Sequence, residues 1–214
     1  MTAVHLADPR EAADLGAFLT RLLRFDKGAA VRLQTANLGL ALFARLPLGD
    51  SGPLAVRTAR LAAEPTGAAA PVDVTLSAGQ LLEAVGSGSE LELPPAITGP
   101  SWAGLLPPRG GWEHLRDLPT APLRAAVSAA VTEFRRETDD QDALAESIWS
   151  RQVDPSGLTL RALHAAQLVG LLQQSDHVAV HRHPAWLRLS APRGYVIVRR
   201  APAPGNGLGL SPAR

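Results

Sequence analysis

The sequence predicts an α+β fold with antiparallel sheet, arranged as two pseudo-repeated helix-plus-three-strand lobes with extra helices in the C-terminal half. Three observations predict it. A leucine-rich helical segment followed by three short strand-like runs occurs twice, over residues 15–60 and 163–200. The strands of the two copies alternate in phase, because Val31, Leu33, Leu40 and Leu42 match Val178, Val180, Leu187 and Leu189 at a constant offset of 147. Side chains at every second position of an extended chain leave one face, as a half-buried strand requires. Leu19, Leu22 and Leu23 also recur as Leu168, Leu171 and Leu172 in the preceding helix. The third strands align as Leu54 and Val56 with Val196 and Val198. Two such units are expected to join into one six-stranded antiparallel sheet, or to pair as lobes about a pseudo-twofold axis.

Each element has a local cause. Asp8, Pro9 and Glu11 form a helix start, since the aspartate accepts backbone N–H bonds and proline loses nothing at the first helical position. A helix over 9–25 follows, and Gly28 releases the chain into strands near 29–36, 39–46 and 54–61, the last two joined by a turn at Leu48–Pro53. After a loop with Pro65, Gly67 and Pro71, a short strand is expected at Val72–Thr75, and Ser77 with Gln80 caps a helix through Val85. From Gly86 to Pro122 the glycines and prolines rule out long regular elements. Beyond it, Leu123, Val127, Val131 and Phe134 have helical spacing, Thr138 with Gln141 caps a second helix, and a third runs over Leu158–Gln173 into the last hairpins.

The organisation expected is therefore an N-terminal α+β lobe over 1–100, a proline- and glycine-rich connector bearing two tryptophans over 101–118, a C-terminal helical and three-stranded lobe over 119–200, and a disordered tail over 201–214. The 214 residues suffice for one large or two small domains. A net charge of +1 favours neither nucleic acid nor membrane in bulk. With no cysteine the chain uses no disulfide, zinc thiolate or thiol nucleophile. No run approaches about 18 apolar residues and no leader is evident at the N-terminus, so no membrane contact and a cytoplasmic location are expected.

Candidate sites are few. Residues 177–200 hold Arg182, Arg188, Arg193, Arg199 and Arg200, three histidines and no acid, which would let a basic ribbon meet phosphates. Three helices followed by this ribbon suggest a winged helix, with Arg193 in the Pro192–Gly194 turn as a wing tip for a minor groove. The helix before it offers only Arg161, His164 and Gln167 as a polar stripe, which opposes that reading. Trp102 and Trp112 in the connector either pack on the core or line a partner surface. His177, His181 and His183 share a strand face, and His181 with His183 gives a short H-x-H chelate as a weak metal candidate; no metal is expected. Asp139, Asp140 and Asp142 sit at a helix start, where acids meet the dipole. Glu90 and Glu92 share a strand face, but Pro94 and Pro95 follow and make this an edge or a loop. No G-x-S-x-G, G-x-x-x-x-G-K or G-x-G-x-x-G occurs in the right context, so no catalytic residue and no cofactor are assigned.

The stretch VAVHRHPAWLRLSAPRGYVIVRR (Val178–Arg200), with WEHLRDLP (Trp112–Pro119), resembles uncharacterised actinobacterial proteins of about this length. The resemblance covers the C-terminal half and implies a bacterial cytoplasmic setting, with no activity and no site residue. The leading functional reading is a non-catalytic binding or regulatory protein, a protein-interaction module that meets a protein partner or a second copy of itself through an exposed strand edge or the tryptophan-bearing segment. The runner-up is a nucleic-acid binder using a winged-helix-like C-terminal half and its basic ribbon. Third stands a small-molecule enzyme with a cleft between lobes.

Overall fold

The structure, a computed structural model, describes residues 3–49, 52–65, 71–86, 88–136 and 140–200. Helix α1 (Pro9–Phe25) starts where Asp8, in extended backbone, accepts from the amides of Arg10 and Glu11 at 2.8 and 3.2 Å. It buries Leu15, Phe18, Leu19 and Leu22 along one stripe. The chain then forms β2 (Ala30–Ala36), β3 (Gly39–Arg45), β4 (Leu54–Arg60) and β5 (Asp73–Ser77), after the short β1 (Ala3–His5) that precedes α1. Ser77 receives the amide of Gln80 and opens α2 (Ala78–Ala84), and β6 (Glu90–Glu92) returns to pair with β1.

The C-terminal half begins with β7 (Glu113–Pro119), followed by α3 (Thr120–Arg136), α4 (Gln141–Trp149) and α5 (Leu160–Leu168), and ends with β8 (His177–His183), β9 (Trp186–Ala191) and β10 (Gly194–Arg199). Eight strands form one antiparallel sheet in the order β5-β2-β3-β4-β10-β9-β8-β7. The expected six-stranded sheet lies within it, extended by β5 on one edge and β7 on the other.

The two halves repeat in register as well as in order. Leu33 faces Leu42 across β2–β3, and Val180 faces Leu189 across β8–β9, both partners shifted by 147. All five residue pairs of the second hairpin have such a counterpart in the first. Directly opposed residues of an antiparallel pair share a face. Val31, Leu33, Leu40, Leu42, Val178, Val180 and Leu189 therefore lie together on the inner face, and they join one core with Leu15, Leu19 and Leu22 of α1, Leu81 of α2, Val127 of α3 and Leu163 of α5.

Several expectations are corrected. The third strands do not align as Leu54 and Val56 with Val196 and Val198. Leu42 faces Arg57 while Leu189 faces Val196, so Arg57 is the counterpart of Val196 at an offset of 139. Leu54 and Val56 thus point to the outer face, whereas Val196 and Val198 point inward. The segment Gly86–Pro122 does contain a seven-residue strand, β7; as an edge strand it tolerates a terminal proline and exposed charges. The third helix stops at Leu168 because Gly170 takes a left-handed conformation (φ 80°), and Leu171 and Leu172 follow on a separate 3₁₀ turn. Helix α4 is capped by Asp140, whose carboxylate accepts from the Ala143 amide at 3.1 Å, with Asp142 in its first turn. Thr138, Asp139 and the tail over 201–214 lie outside the described residues.

The winged-helix reading is also corrected. Its ribbon is the middle of a large sheet, paired on both sides through β10–β4 and β8–β7, and α5 buries Leu160, Ala162, Leu163, Ala165 and Ala166 against that sheet. Arg193 is no free wing tip, since its guanidinium contacts Asp14 of α1 and its amide donates to Gln174 Oε1 at 3.1 Å. The lobes are joined by a continuous ladder between β4 and β10.

That ladder is short. Leu54, Ala55, Val56 and Arg57 of β4 pair with Ile197, Val196, Tyr195 and Gly194 of β10. A Cβ on Gly194 would collide with the Val56 carbonyl oxygen, a backbone atom that cannot yield without opening the ladder. Below the seam Asp14 sits 2.8 Å from Arg57, which is only 5% exposed. Burial pushes the Arg57 guanidinium below its ordinary pKa, and the nearby Glu11 charge offsets part of that cost.

Two outcomes are expected. Gly194→Ala should destabilise the protein by about 1–3 kcal/mol through overpacking, seen as a lower denaturant midpoint with an unchanged slope; an unchanged midpoint would show that the ladder tolerates the methyl group. His164 stacks on Trp149 (centroids 4.4 Å apart, planes at 15°), and burial holds its imidazole below the ordinary value of 6.5. The fold favours its neutral form, so this contribution is complete above the unfolded-state pKa and is lost as pH falls through 6.5 towards the lower folded value. His164→Gln should therefore narrow the gap between urea midpoints measured at neutral and mildly acidic pH.

Candidate functional site

Alternation on the last two strands turns Tyr195, Ile197 and Arg199, with Trp186, Arg188 and Ser190, to the outer face of the sheet, opposite the helices. The ladders carry one row across six strands: Arg45, Leu54, Ile197, Arg188, His181 and His114 stand successively opposite one another. Beside it, Arg199 faces Trp186, which faces His183. This face is apolar at its centre, where Phe43, Leu54, Val56 and Ile197 are all buried.

What buries them is the connector. The Ile97 amide donates to the Thr75 carbonyl at 2.9 Å, Arg32 holds the Ala103 carbonyl, and Arg109 reaches Gln34 Oε1 at 3.3 Å. Arg32 is itself fixed by a two-pronged contact to Asp73 at 2.7 and 2.9 Å, which raises its own pKa and lowers that of the carboxylate. The segment so anchored crosses the outer face and places a short 3₁₀ turn, Ser101–Gly104, over the seam.

A groove of about 220 Å³ remains where the connector meets the seam. Leu54 and Ile197 form its floor, Trp102 and Trp186 its walls, and Arg45 and Arg199 supply charge. Leu105 stands on its rim, 65% exposed. The Arg199 guanidinium lies 4.6 Å from the Trp186 ring centroid, a cation–π contact that holds the cation at the groove. Apolar floor, aromatic walls and two cations suit an extended segment with a large apolar side chain and a carboxylate.

The residues singled out from the sequence separate. Trp102 and Arg199 meet in this groove. Trp112 is half-buried, donates its indole N–H to the Pro108 carbonyl at 2.9 Å, and receives Arg188 over its ring at 4.6 Å. Arg188 also lies 5.4 Å from the Tyr195 ring; burial lowers its pKa and raises that of the Tyr195 phenol. Arg182 pairs with Glu113 at 2.8 Å on the β7 edge, away from the groove, and Arg193 lies on the helical side with Asp14. His181 Nδ1 lies 3.3 Å from the Ser190 hydroxyl, and His183 packs on Trp112 with centroids 5.6 Å apart. Burial, then Arg188 and His114, push the His181 pKa down. Among the described residues no group of three or more His, Asp or Glu is placed to hold a metal ion. Sequence reasoning missed Arg45, Leu105, Trp186 and Ile197. The available signal was the second parity of β9 and β10, in which Trp186 and Ile197 alternate with the core residues.

Comparison with known structures matches this architecture. The beta subunit of DNA polymerase III from Thermotoga maritima superposes with a TM-score of 0.58 at 11% identity, over 92% of this chain and 64% of that one. The chain shares the fold of the sliding clamp. The Bartonella birtlesii sliding clamp, bound to griselimycin, gives 0.56 at 13% identity over 93% and 65% of the two chains, and Caulobacter crescentus pol III beta gives 0.57 at 9% over 92% and 65%. This chain thus spans slightly less than two thirds of the length of these clamps. In sequence, residues 1–104 match a domain of unknown function (DUF8010), and residues 107–203 match a second (DUF8185). No curated protein matches the chain. No described helix is long and apolar enough to cross a membrane.

Proposed function

We propose that the chain acts by binding rather than catalysis, as a clamp-like scaffold that holds a protein partner in the groove over its central seam. The observation that carries this reading is the junction of Trp102, Trp186, Leu105 and Arg199 above buried Leu54 and Ile197. Large aromatic side chains and arginine concentrate binding energy at protein interfaces. The similar structures are sliding clamps of DNA polymerase, and one of them is bound to griselimycin, so ligand capture by this fold supports the reading. Self-association belongs to it as well: among the described residues β7 pairs only with β8, and its outer edge is open to a strand from a second copy. An actinobacterial, cytoplasmic setting is part of the same proposal.

A second reading, nucleic acid, is favoured by the helices rather than the ribbon. The exposed face of α1 carries Arg10, Arg21 and Arg24 among Ala13, Ala17 and Thr20, and that of α3 carries Arg124, Arg135 and Arg136 among Ala125, Ser128 and Thr132. The acids of these helices are engaged, Glu11 with Arg60, Asp14 with Arg57 and Arg193, and Glu133 with Arg151. Arginine among small residues lets a helix approach a phosphate backbone closely.

Two experiments test these readings. A fluorescein-labelled peptide of leucine, phenylalanine and aspartate should bind the full chain in anisotropy titrations, and Leu105→Ser or Arg199→Glu should weaken it by about tenfold; affinity unmoved by both changes rejects the groove. In gel shifts with duplex DNA, a complex at low salt that dissociates as salt rises, and that Arg124→Glu with Arg135→Glu abolishes, is the outcome expected of the second reading. Absence of any salt-sensitive complex ends it.

A further inference from the structure

We propose that β6, with the groove beside it, forms a second docking site that takes an extended basic segment of a partner protein as an added strand. The site lies in the N-terminal half and shares no residue with the groove over the seam. Its geometry follows from the phase of one short ladder. Val4 faces Leu91 across β1–β6, and the Leu6 amide donates to the Ser89 carbonyl at 2.7 Å. Hydrogen-bonded pairs recur at every second residue of an antiparallel ladder, so Leu91 turns its own N–H and C=O towards β1. Glu90 and Glu92 consequently direct theirs away from it. Among the described residues those four groups have no backbone partner. An edge strand with open donors and acceptors is a template for another chain.

The side chains select which chain. Glu90 and Glu92 are exposed on one side of the strand, while Leu91 is buried on the other. The adjoining groove, about 790 Å³, is lined by Val74, Ala84, Leu93, Pro94 and Pro95, and among the described residues its only ionisable lining groups are the two glutamates. Pro94 and Pro95 carry no N–H, so this wall offers apolar surface and no donor. A strand added beside β6 places the residues opposite Glu90 and Glu92 on the glutamate side, and turns the residue between them the other way. The matching partner is therefore an extended segment with lysine or arginine at alternate positions and an apolar residue between.

The full chain titrated with a short labelled peptide of alternating lysine and valine tests this assignment, read by fluorescence anisotropy and by amide hydrogen exchange. Expected are saturable binding, slowed exchange at the Glu90 and Glu92 amides, affinity reduced by about tenfold or more in the Glu90→Lys, Glu92→Lys double variant, and no binding of the peptide with glutamate in place of lysine. Both substitutions are at exposed positions, and circular dichroism checks that the variant is folded. Leu105→Ser should leave this binding unchanged, which separates failure here from failure of the seam groove. The inference is overturned by absence of saturable binding, by affinity indifferent to charge reversal, or by binding that leaves the two amides unprotected. A dimer that the charge reversal dissolves without peptide would also overturn it, by giving the edge to a second copy.

Discussion

The rest of the structure depends on the four residue pairs between β4 and β10 and on the carboxylate of Asp14 beneath them. Each half of the sheet would otherwise end in an open strand. The ladder makes one surface of two, and Asp14 reinforces it by standing between two guanidinium groups, Arg57 from β4 and Arg193 from the β9–β10 turn. Taking Arg57 out of water is costly, and the 2.8 Å contact with Asp14 in the same half offsets part of that cost, while Arg193 brings the other half to the same carboxylate. The pairing thus couples helix, strand and turn from both ends of the chain.

Because the seam is continuous, its outer side becomes a shared floor. Phe43, Leu54 and Val56 from one half and Ile197 from the other would be wet without the connector, which is tied to Thr75, Arg32 and Gln34 before Trp112 passes under Arg188. The groove is the part of that floor the connector leaves uncovered. Its position follows from how far the segment reaches, and its arginines from the alternation of β3 and β10.

The fold was legible where one face of a strand is buried and the other wet. The hairpins β2–β3 and β8–β9 obey that rule, and the offset of 147 between Leu33 and Val180 survives into their registers. On β4 the rule fails, because residues 54 to 57 are all buried and a strand covered on both sides has no alternation to read. Leu54 and Val56 therefore face the side opposite to the one that their likeness to Val196 and Val198 predicts. Arg57 hides in the same way, since a buried, paired arginine looks like any surface arginine in sequence. Gly170 did carry a signal for the end of α5, but the leucines on either side of it outweighed it. Of the candidate site, Trp102 and Arg199 were visible as residue types; that Trp186 and Ile197 meet them depends on cross-strand neighbours far apart in the chain.

The order of the strands also governs how the protein emerges from a ribosome. The partner of β4 is β10, the last element of the sheet, some 140 residues downstream. At elongation rates of about 5–20 residues per second, β4 waits on the order of ten seconds with an unpaired edge. Arg57, a cation near the middle of that edge, guards the nascent half-sheet against premature pairing with its neighbours until the β9–β10 turn closes beside it.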